Sequence, residues 1–84
     1  MKVTVLFFAS LREQLGTAQE ALELPAGVDT LAGLCAQLEA RGGEWARALA
    51  GTRVRMAVNQ DMADAATRIK PGDEIAFFPP VTGG

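Results

Sequence analysis

The segment over residues 74–84 reads EIAFFPPVTGG. Its first five residues are predicted to form a strand, because they alternate and include β-branched and aromatic side chains. Two prolines follow, and proline cannot donate a hydrogen bond to a sheet, so strand pairing is predicted to end at Phe78. The sequence is therefore divided into one domain over residues 1–78 and a flexible tail over residues 79–84.

The tail combines stiff residues with residues that have no side chain. Fixed φ angles at the two prolines favour an extended exit from the domain. The last two residues lack a Cβ, so their backbone is able to enter a slot too narrow for other residues. The carboxylate of Gly84 is therefore predicted to be the working group, with a frayed terminus of no function as the alternative. The residues predicted to insert into a partner are Pro79, Pro80, Val81, Thr82 and Gly83.

The composition is that of one small globular domain. The chain has 84 residues, of which 49% are hydrophobic, which is enough for a modest core. Eight basic and ten acidic residues give a net charge of −2 without a dense basic block, so no nucleic-acid binding is expected. The sequence shows no secretory signal and no apolar span of membrane length. We therefore expect a cytoplasmic protein that does not associate with membranes.

The residue types that usually carry out catalysis are almost missing from the sequence. It contains no histidine, no tyrosine and a single cysteine, Cys35. Catalysis that depends on histidine is thereby excluded, and no metal site is expected. Cys35 shares a predicted helical stripe with leucines, so a packed core thiol is favoured over a persulfide carrier or a nucleophile. Any chemistry that involves this chain must draw most of its catalytic groups from partners.

Strand and helix patterns alternate along the rest of the chain. Further strands are predicted over residues 2–8, 20–24 and 53–59, and helices over residues 10–15, 29–41 and 45–49. Ser10 and Glu13 have the spacing of a capping box for the first helix, and Asp29 or Thr30 is able to cap the long helix. This order predicts an α+β fold in which one mixed sheet is covered by helices on one face.

The alternation of side chains predicts an apolar surface on the other face of the sheet. Phe8 and Phe78 both fall opposite the predicted core residues of their strands. Two exposed phenylalanines on one face are typical of a docking surface. Arg53 and Arg55 are interpreted as a solvated strand face rather than an anion site. The other residues predicted on or beside the docking surface are Ala57, Ala76, Met62 and Arg12.

The last eight residues, FFPPVTGG, resemble the end of the small, sulfur-carrying subunits of molybdopterin synthase. Further similarity to this family lies in residues 5–9, 11–13, 57–60 and 72–74, whereas residues 18–51 carry little of it. The resemblance implies a ubiquitin-like β-grasp fold with helices packed on one face of a mixed sheet. It also implies a partner interface formed by Phe8, Arg12, Met62 and Phe78.

The resemblance further implies a mechanism in which the chain is not catalytic alone. A ubiquitin-activating-type adenylating enzyme would use ATP to convert the Gly84 carboxylate into an acyl-adenylate, and a sulfur donor protein would then replace AMP. The resulting thiocarboxylate would enter the large subunit of molybdopterin synthase. There its sulfur would pass to cyclic pyranopterin monophosphate and form the molybdopterin dithiolene. The chain alone is expected to bind no cofactor.

Three other functions are compatible with the same tail. Sulfur carriers for thiamine or tRNA thiolation share the diglycine, although thiamine carriers are generally shorter and lack the Phe-Phe-Pro-Pro segment. A ubiquitin-like protein modifier would use Gly84 to form isopeptide bonds with lysines. A plain interaction module would have a passive tail.

Overall fold

The computed structural model describes residues 1–49 and 54–79, which form five strands and three helices. The strands are β1 (Lys2–Phe7), β2 (Gln19–Glu23), β3 (Arg55–Val58), β4 (Asp61–Ala63) and β5 (Glu74–Phe78). The helices are α1 (Ala9–Leu15), α2 (Leu31–Glu39) and α3 (Gly43–Leu49). The strands form one sheet in the order β2-β1-β5-β3-β4, in which β1 and β5 are parallel and the other pairs antiparallel. The predicted mixed sheet is confirmed.

The two central strands supply the middle of the hydrophobic core. Val5 pairs with Ile75 and Phe7 with Phe77 across the parallel ladder, and all four side chains are buried. The Phe7 ring stacks on that of Phe77 at 5.9 Å and meets the ring of Trp45 in α3 edge-on at 5.4 Å. Burial of each such side chain contributes about 1.5–3 kcal/mol. The pairing of β1 with β5 is therefore a principal source of stability.

Helix α2 packs on this core and begins at a capping residue that the sequence predicts. The hydroxyl of Thr30 accepts a hydrogen bond from the Gly33 amide at 3.2 Å. The helix ends at Glu39, two residues before the predicted end at Arg41, because the next amides form the tighter i→i+3 bonds of a closing turn. The buried residues of α2 are Leu31, Leu34 and Leu38.

The predicted capping box at the start of α1 is wrong. The capping position is Phe8 and not Ser10, and no side chain caps the helix. The Phe8 amide donates to the Phe77 carbonyl at 3.0 Å, so β1 stays paired with β5 up to this residue. Ala9 then adopts a left-handed φ of 52° and α1 begins at once. Ser10 therefore lies inside the first turn, where it cannot act as the cap.

Candidate docking face and tail exit

The sheet face that the helices leave uncovered is apolar at the end where the chain leaves β5. One row of directly paired residues crosses four strands and consists of Leu6, Ala76, Ala57 and Met62. The next row holds Phe8, Phe78 and Arg55. We call these seven residues the docking face. Polar residues, Thr4 and Glu74, occupy the same face at the other end of β1 and β5.

The docking face is shallow in the middle and raised at its margins. Ala57 and Ala76 have small side chains at its centre, whereas Phe8 and Met62 are 46% and 63% exposed. Phe78 is half-buried next to them. The predicted positions of these five residues on the open face are confirmed, while a role in partner binding stays a prediction. Large exposed apolar side chains gathered on one face are characteristic of protein-binding surfaces.

Two residues of the docking face were not assigned to it from the sequence. Leu6 shares the parity of Phe8, but its position beside Ala76 depends on the β1–β5 register, which no local pattern specifies. The sequence predicts a solvated Arg55, and the residue is exposed, but it is also the direct partner of Phe78. The alternation within a strand shows which face a residue lies on. The strand order is also needed to show that these two residues lie beside Ala76 and Phe78.

The arginines of the described residues include three with ionic partners and two without. Arg41, Arg47 and Arg68 each pair with a carboxylate, from Glu20, Glu44 and Asp29 respectively. Arg12 in α1 and Arg55 in β3 are exposed, and neither forms an ion pair with a carboxylate of the described residues. The predicted interface residue Arg12 follows Phe8 by four residues and lies on the helix that starts there. Within the described residues, the positive charge of Arg55 therefore lies on the docking face without a carboxylate partner.

The tail starts at the edge of the docking face. Strand β5 ends at Phe78, as predicted, and Pro79 is half-buried directly after it. The predicted insertion residues Pro80, Val81, Thr82 and Gly83, and the predicted working residue Gly84, lie outside the described residues. The structure therefore fixes the point and the strand from which the tail departs.

A polar clasp at the opposite end of β5 fixes the position of this strand. The buried carboxylate of Asp73 accepts hydrogen bonds from Asn59 Nδ2 at 3.0 Å and from the Lys70 amide at 2.8 Å. Asn59 Oδ1 in turn accepts a hydrogen bond from the backbone amide of Glu74 at 3.0 Å. The backbone amide of Asn59 donates to the Glu74 carbonyl at 2.8 Å. The hairpin between β3 and β4 is thus tied to the start of β5.

The electrostatics of the clasp favour an ionised Asp73. Burial acts to raise the pKa of this carboxyl, but the hydrogen bonds from Asn59 and from the Lys70 amide, with the charge of Lys70, hold it below its usual value. A charged carboxylate with these partners is a strong acceptor, and it ties both loops more firmly than a neutral acid.

Cys35 is half-buried on α2 and faces the partly buried side of β3. Its Sγ lies 3.6 Å from Met56 Sδ. Burial, together with the nearby charge of Glu39, raises the pKa of the thiol to about 11. The thiolate is therefore scarce at neutral pH, which agrees with the predicted packing role rather than with that of a nucleophile.

Other kinds of site find no support in the part of the chain that the structure describes. Within residues 1–49 and 54–79, no three side chains of the types that bind metals come together as a cluster. None of the described helices has the length and apolar character needed to cross a bilayer.

Comparison with known sequences finds close relatives over the whole chain. A model of the ThiS family matches residues 5–84. The molybdopterin synthase sulfur carrier subunit of Escherichia coli is 43% identical over 82 residues, which cover 98% of this chain and 99% of the relative. The subunit of the same name from Mycobacterium tuberculosis is 39% identical over 85 residues, which cover 100% and 99%.

Comparison with solved structures identifies the fold as a ubiquitin-like β-grasp. The crystal structure of SAMP1 from Haloferax volcanii superposes with a TM-score of 0.83 over 100% of both chains, at 23% identity. A Helicobacter pylori structure, described as a complex of subunits 1 and 2 of molybdopterin-converting factor, matches with a TM-score of 0.71 and 27% identity over 100% of both chains. The fold predicted from the resemblance is therefore confirmed.

Proposed function

The chain belongs to the ThiS family, and we propose that it is the sulfur-carrier subunit of a molybdopterin synthase. The observation that carries the proposal is that one strand performs two tasks. Strand β5 presents Phe78 on the docking face and then continues into the tail at Pro79. A partner that binds the docking face therefore receives the tail at a defined position. The names of the full-length relatives from Escherichia coli and Mycobacterium tuberculosis supply the sulfur-carrier role.

The proposed chemistry takes place at Gly84. A C-terminal carboxylate has a pKa of roughly 3.3–3.7, so at neutral pH it is ionised and a poor electrophile. An adenylating enzyme joins this carboxylate to the α-phosphate of ATP and releases pyrophosphate. A sulfide equivalent from a sulfur donor then attacks the carbonyl carbon, displaces AMP and leaves a thiocarboxylate.

The domain supports this chemistry by presenting the tail rather than by catalysis. The sequence has no histidine, and the only thiol is a half-buried one with a pKa of about 11. Acid–base groups and the pterin pocket must therefore come from the enzymes that receive the tail. Binding of the docking face converts tail insertion into a local event, because the root of the tail is already held against the partner.

The principal partner in this proposal is a large subunit of molybdopterin synthase. The Helicobacter pylori complex of subunits 1 and 2 supports such a partner, since its whole matching chain superposes on this one. The adenylating enzyme, the sulfur donor and a cytoplasmic location belong to the same proposal. In the large subunit, the thiocarboxylate would deliver sulfur to cyclic pyranopterin monophosphate.

Intact mass spectrometry tests the proposal directly. The chain is incubated with ATP, an adenylating enzyme of this pathway and a sulfur source, and it should gain the mass difference between sulfur and oxygen. A chain without Gly84 should fold normally and gain nothing, because the reacting carbonyl is lost. Formation of a normal thiocarboxylate and normal molybdopterin by the deletion variant would contradict the proposal.

The acceptor is tested in a second experiment. The thiocarboxylated chain is mixed with a large subunit and pterin precursor, or with a thiazole synthase and its precursors. Sulfur transfer only in the pterin reaction is the expected result, and transfer only in the thiazole reaction would assign a thiamine role. Stable conjugates with lysines of other proteins would assign the modifier role.

A further inference from the structure

The primary amines of the chain lie together at one end of the sheet. The sequence has two lysines, Lys2 and Lys70, in addition to the amino group of Met1. The Met1 amino group donates to the Leu24 carbonyl at 2.9 Å, and Lys2 opens β1. Lys70 belongs to the turn before β5, and the Gly72 amide of this turn donates to the Lys2 carbonyl at 2.8 Å. All three amines are therefore at the end where β1 and β5 begin.

The tail departs from the other end of the sheet. Because β1 and β5 are parallel, Phe78 lies near Phe8 and far from Lys2. The rise of a strand places the start of β1 about 16 Å from its end. Gly84 is five residues beyond Pro79, so covalent geometry limits their separation to about 18 Å. Only a fully extended tail that turned back along the sheet would bring the terminal carbonyl to an amine of its own chain.

The cation that the structure places next to the tail exit is an arginine, since Arg55 is the direct partner of Phe78. A guanidinium keeps its charge in proteins and does not attack a carbonyl, whereas a lysine amine is neutral in a small fraction of molecules. This end of the domain therefore has positive charge without an amine nucleophile.

The single thiol of the chain also lies away from the root of the tail. Cys35 is on the helix-covered side of the sheet, where its sulfur packs against Met56. The docking face and the tail root are on and beside the opposite face. The sheet therefore lies between this thiol and the docking face.

We infer that Arg55 is a specificity-determining residue, which keeps positive charge beside the tail exit while excluding an amine that would capture the activated terminus. The inference rests on the proposed function, because only an activated carboxylate needs this protection. In the suppressed reaction, a neutral lysine amine attacks the Gly84 carbonyl carbon and a new N–C bond forms. The bond to the leaving group breaks, and AMP and one proton are released. The product is an internal amide that cannot take up sulfur.

The test uses the full chain with a C-terminal thioester of 2-mercaptoethanesulfonate, whose thiol replaces AMP as leaving group. Wild type is compared with Arg55→Lys, which keeps the positive charge. Arg68→Lys is the matched control, since Arg68 is exposed but lies next to Lys70 at the amine end. The samples are held about one unit below the lysine pKa of about 10.4 and followed by intact mass and peptide mapping.

Arg55→Lys should close an internal amide at least about tenfold faster than wild type or Arg68→Lys, because the new amine lies within reach of the terminal carbonyl. The product is lighter by one water than the carboxylate form, and the mapped crosslink joins Gly84 to residue 55. Equal rates in Arg55→Lys and Arg68→Lys, or equally fast closure through Lys2 or Lys70 in wild type, would overturn the inference. The thioester is made without the adenylating enzyme, so either result leaves the thiocarboxylate test of the proposed function unaffected.

Discussion

Asp73 ties two loops together with a single carboxylate. It is 7% exposed and bonds both to the side chain of Asn59 and to the Lys70 amide. Replacement by asparagine exchanges one acceptor oxygen for an NH2 group. This group then faces the side-chain amide of Asn59 or the backbone amide of Lys70, and both of these are donors. A buried donor left without a partner costs about 1–3 kcal/mol, so Asp73→Asn should lower the free energy of unfolding by about this amount at pH 7.

The effect of Asp73→Asn should depend on pH. The folded-state pKa of Asp73 is lowered, so its ionisation stabilises the fold above the unfolded pKa of about 3.9. This stability is lost as the pH falls through the folded pKa. The difference between wild type and variant should therefore be constant above about pH 5 and shrink below pH 4, as measured by urea unfolding. A difference that grows in acid would show that the carboxylate is not stabilised in the fold.

Cys35 provides a second prediction for a single residue. If the thiol only fills space beside Met56, Cys35→Ala should cost about 1 kcal/mol in unfolding free energy through a small cavity. Thiocarboxylate formation should be unchanged, as measured by intact mass under the conditions used for wild type. Loss of sulfur uptake in a folded Cys35→Ala protein would instead make the thiol part of the chemistry.

In the proposed function, strand β5 is the element that links partner binding to delivery of the tail. Phe78→Asp places a charge in the apolar docking face and should weaken binding to the adenylating enzyme and the large subunit by at least about 2 kcal/mol. Ala21→Asp is the matched control, because Ala21 is exposed on the same sheet face but lies on the edge strand β2. Calorimetric titration of both variants measures the difference. Equal affinities for the two variants would place the partner elsewhere.

At the level of elements, the sequence predicts the structure correctly where the local pattern agrees with the packing. The alternation of β5 correctly separated Ile75 and Phe77 from Ala76 and Phe78, since one face of a sheet must be buried. The start of α1 could not be predicted in this way. The pairing of Phe8 with Phe77 joins residues far apart in sequence, and it overrides the local capping preference of Ser10.

At the level of the whole molecule, the first and last strands share the centre of one core. A chain that ends at Pro79 should melt within a few degrees of the full chain, because the ladder to Phe78 is intact. A chain that ends at Asp73 should be unfolded, since it lacks Ile75 and Phe77, whose burial contributes about 1.5–3 kcal/mol each. Circular dichroism melting measures both. A cooperative transition in the shorter chain would show that the core does not depend on β5.

The candidate site was only partly predictable from the sequence, because its residues come together through strand pairings that join distant parts of the chain. Phe8 and Phe78 could be assigned because large apolar residues at exposed parity are conspicuous, whereas Met62 could be placed only at the margin of the face. Arg55 could not, since its place beside Phe78 follows from the β3–β5 register. The segregation of Lys2 and Lys70 from the tail exit likewise requires the parallel pairing of β1 with β5, which no local pattern reveals.

The parallel pairing of β1 with β5 also sets the order of events during synthesis. Strand β1 is synthesised first, and its edge that pairs with β5 stays unpaired until nearly the whole domain has been synthesised. Contacts so distant in sequence form late and slowly, whereas the β1–β2 hairpin is able to form early. A nascent fragment therefore lacks the two rows of residues that make up the docking face. Enzymes that recognise this face would meet completed domains and leave half-made chains untouched.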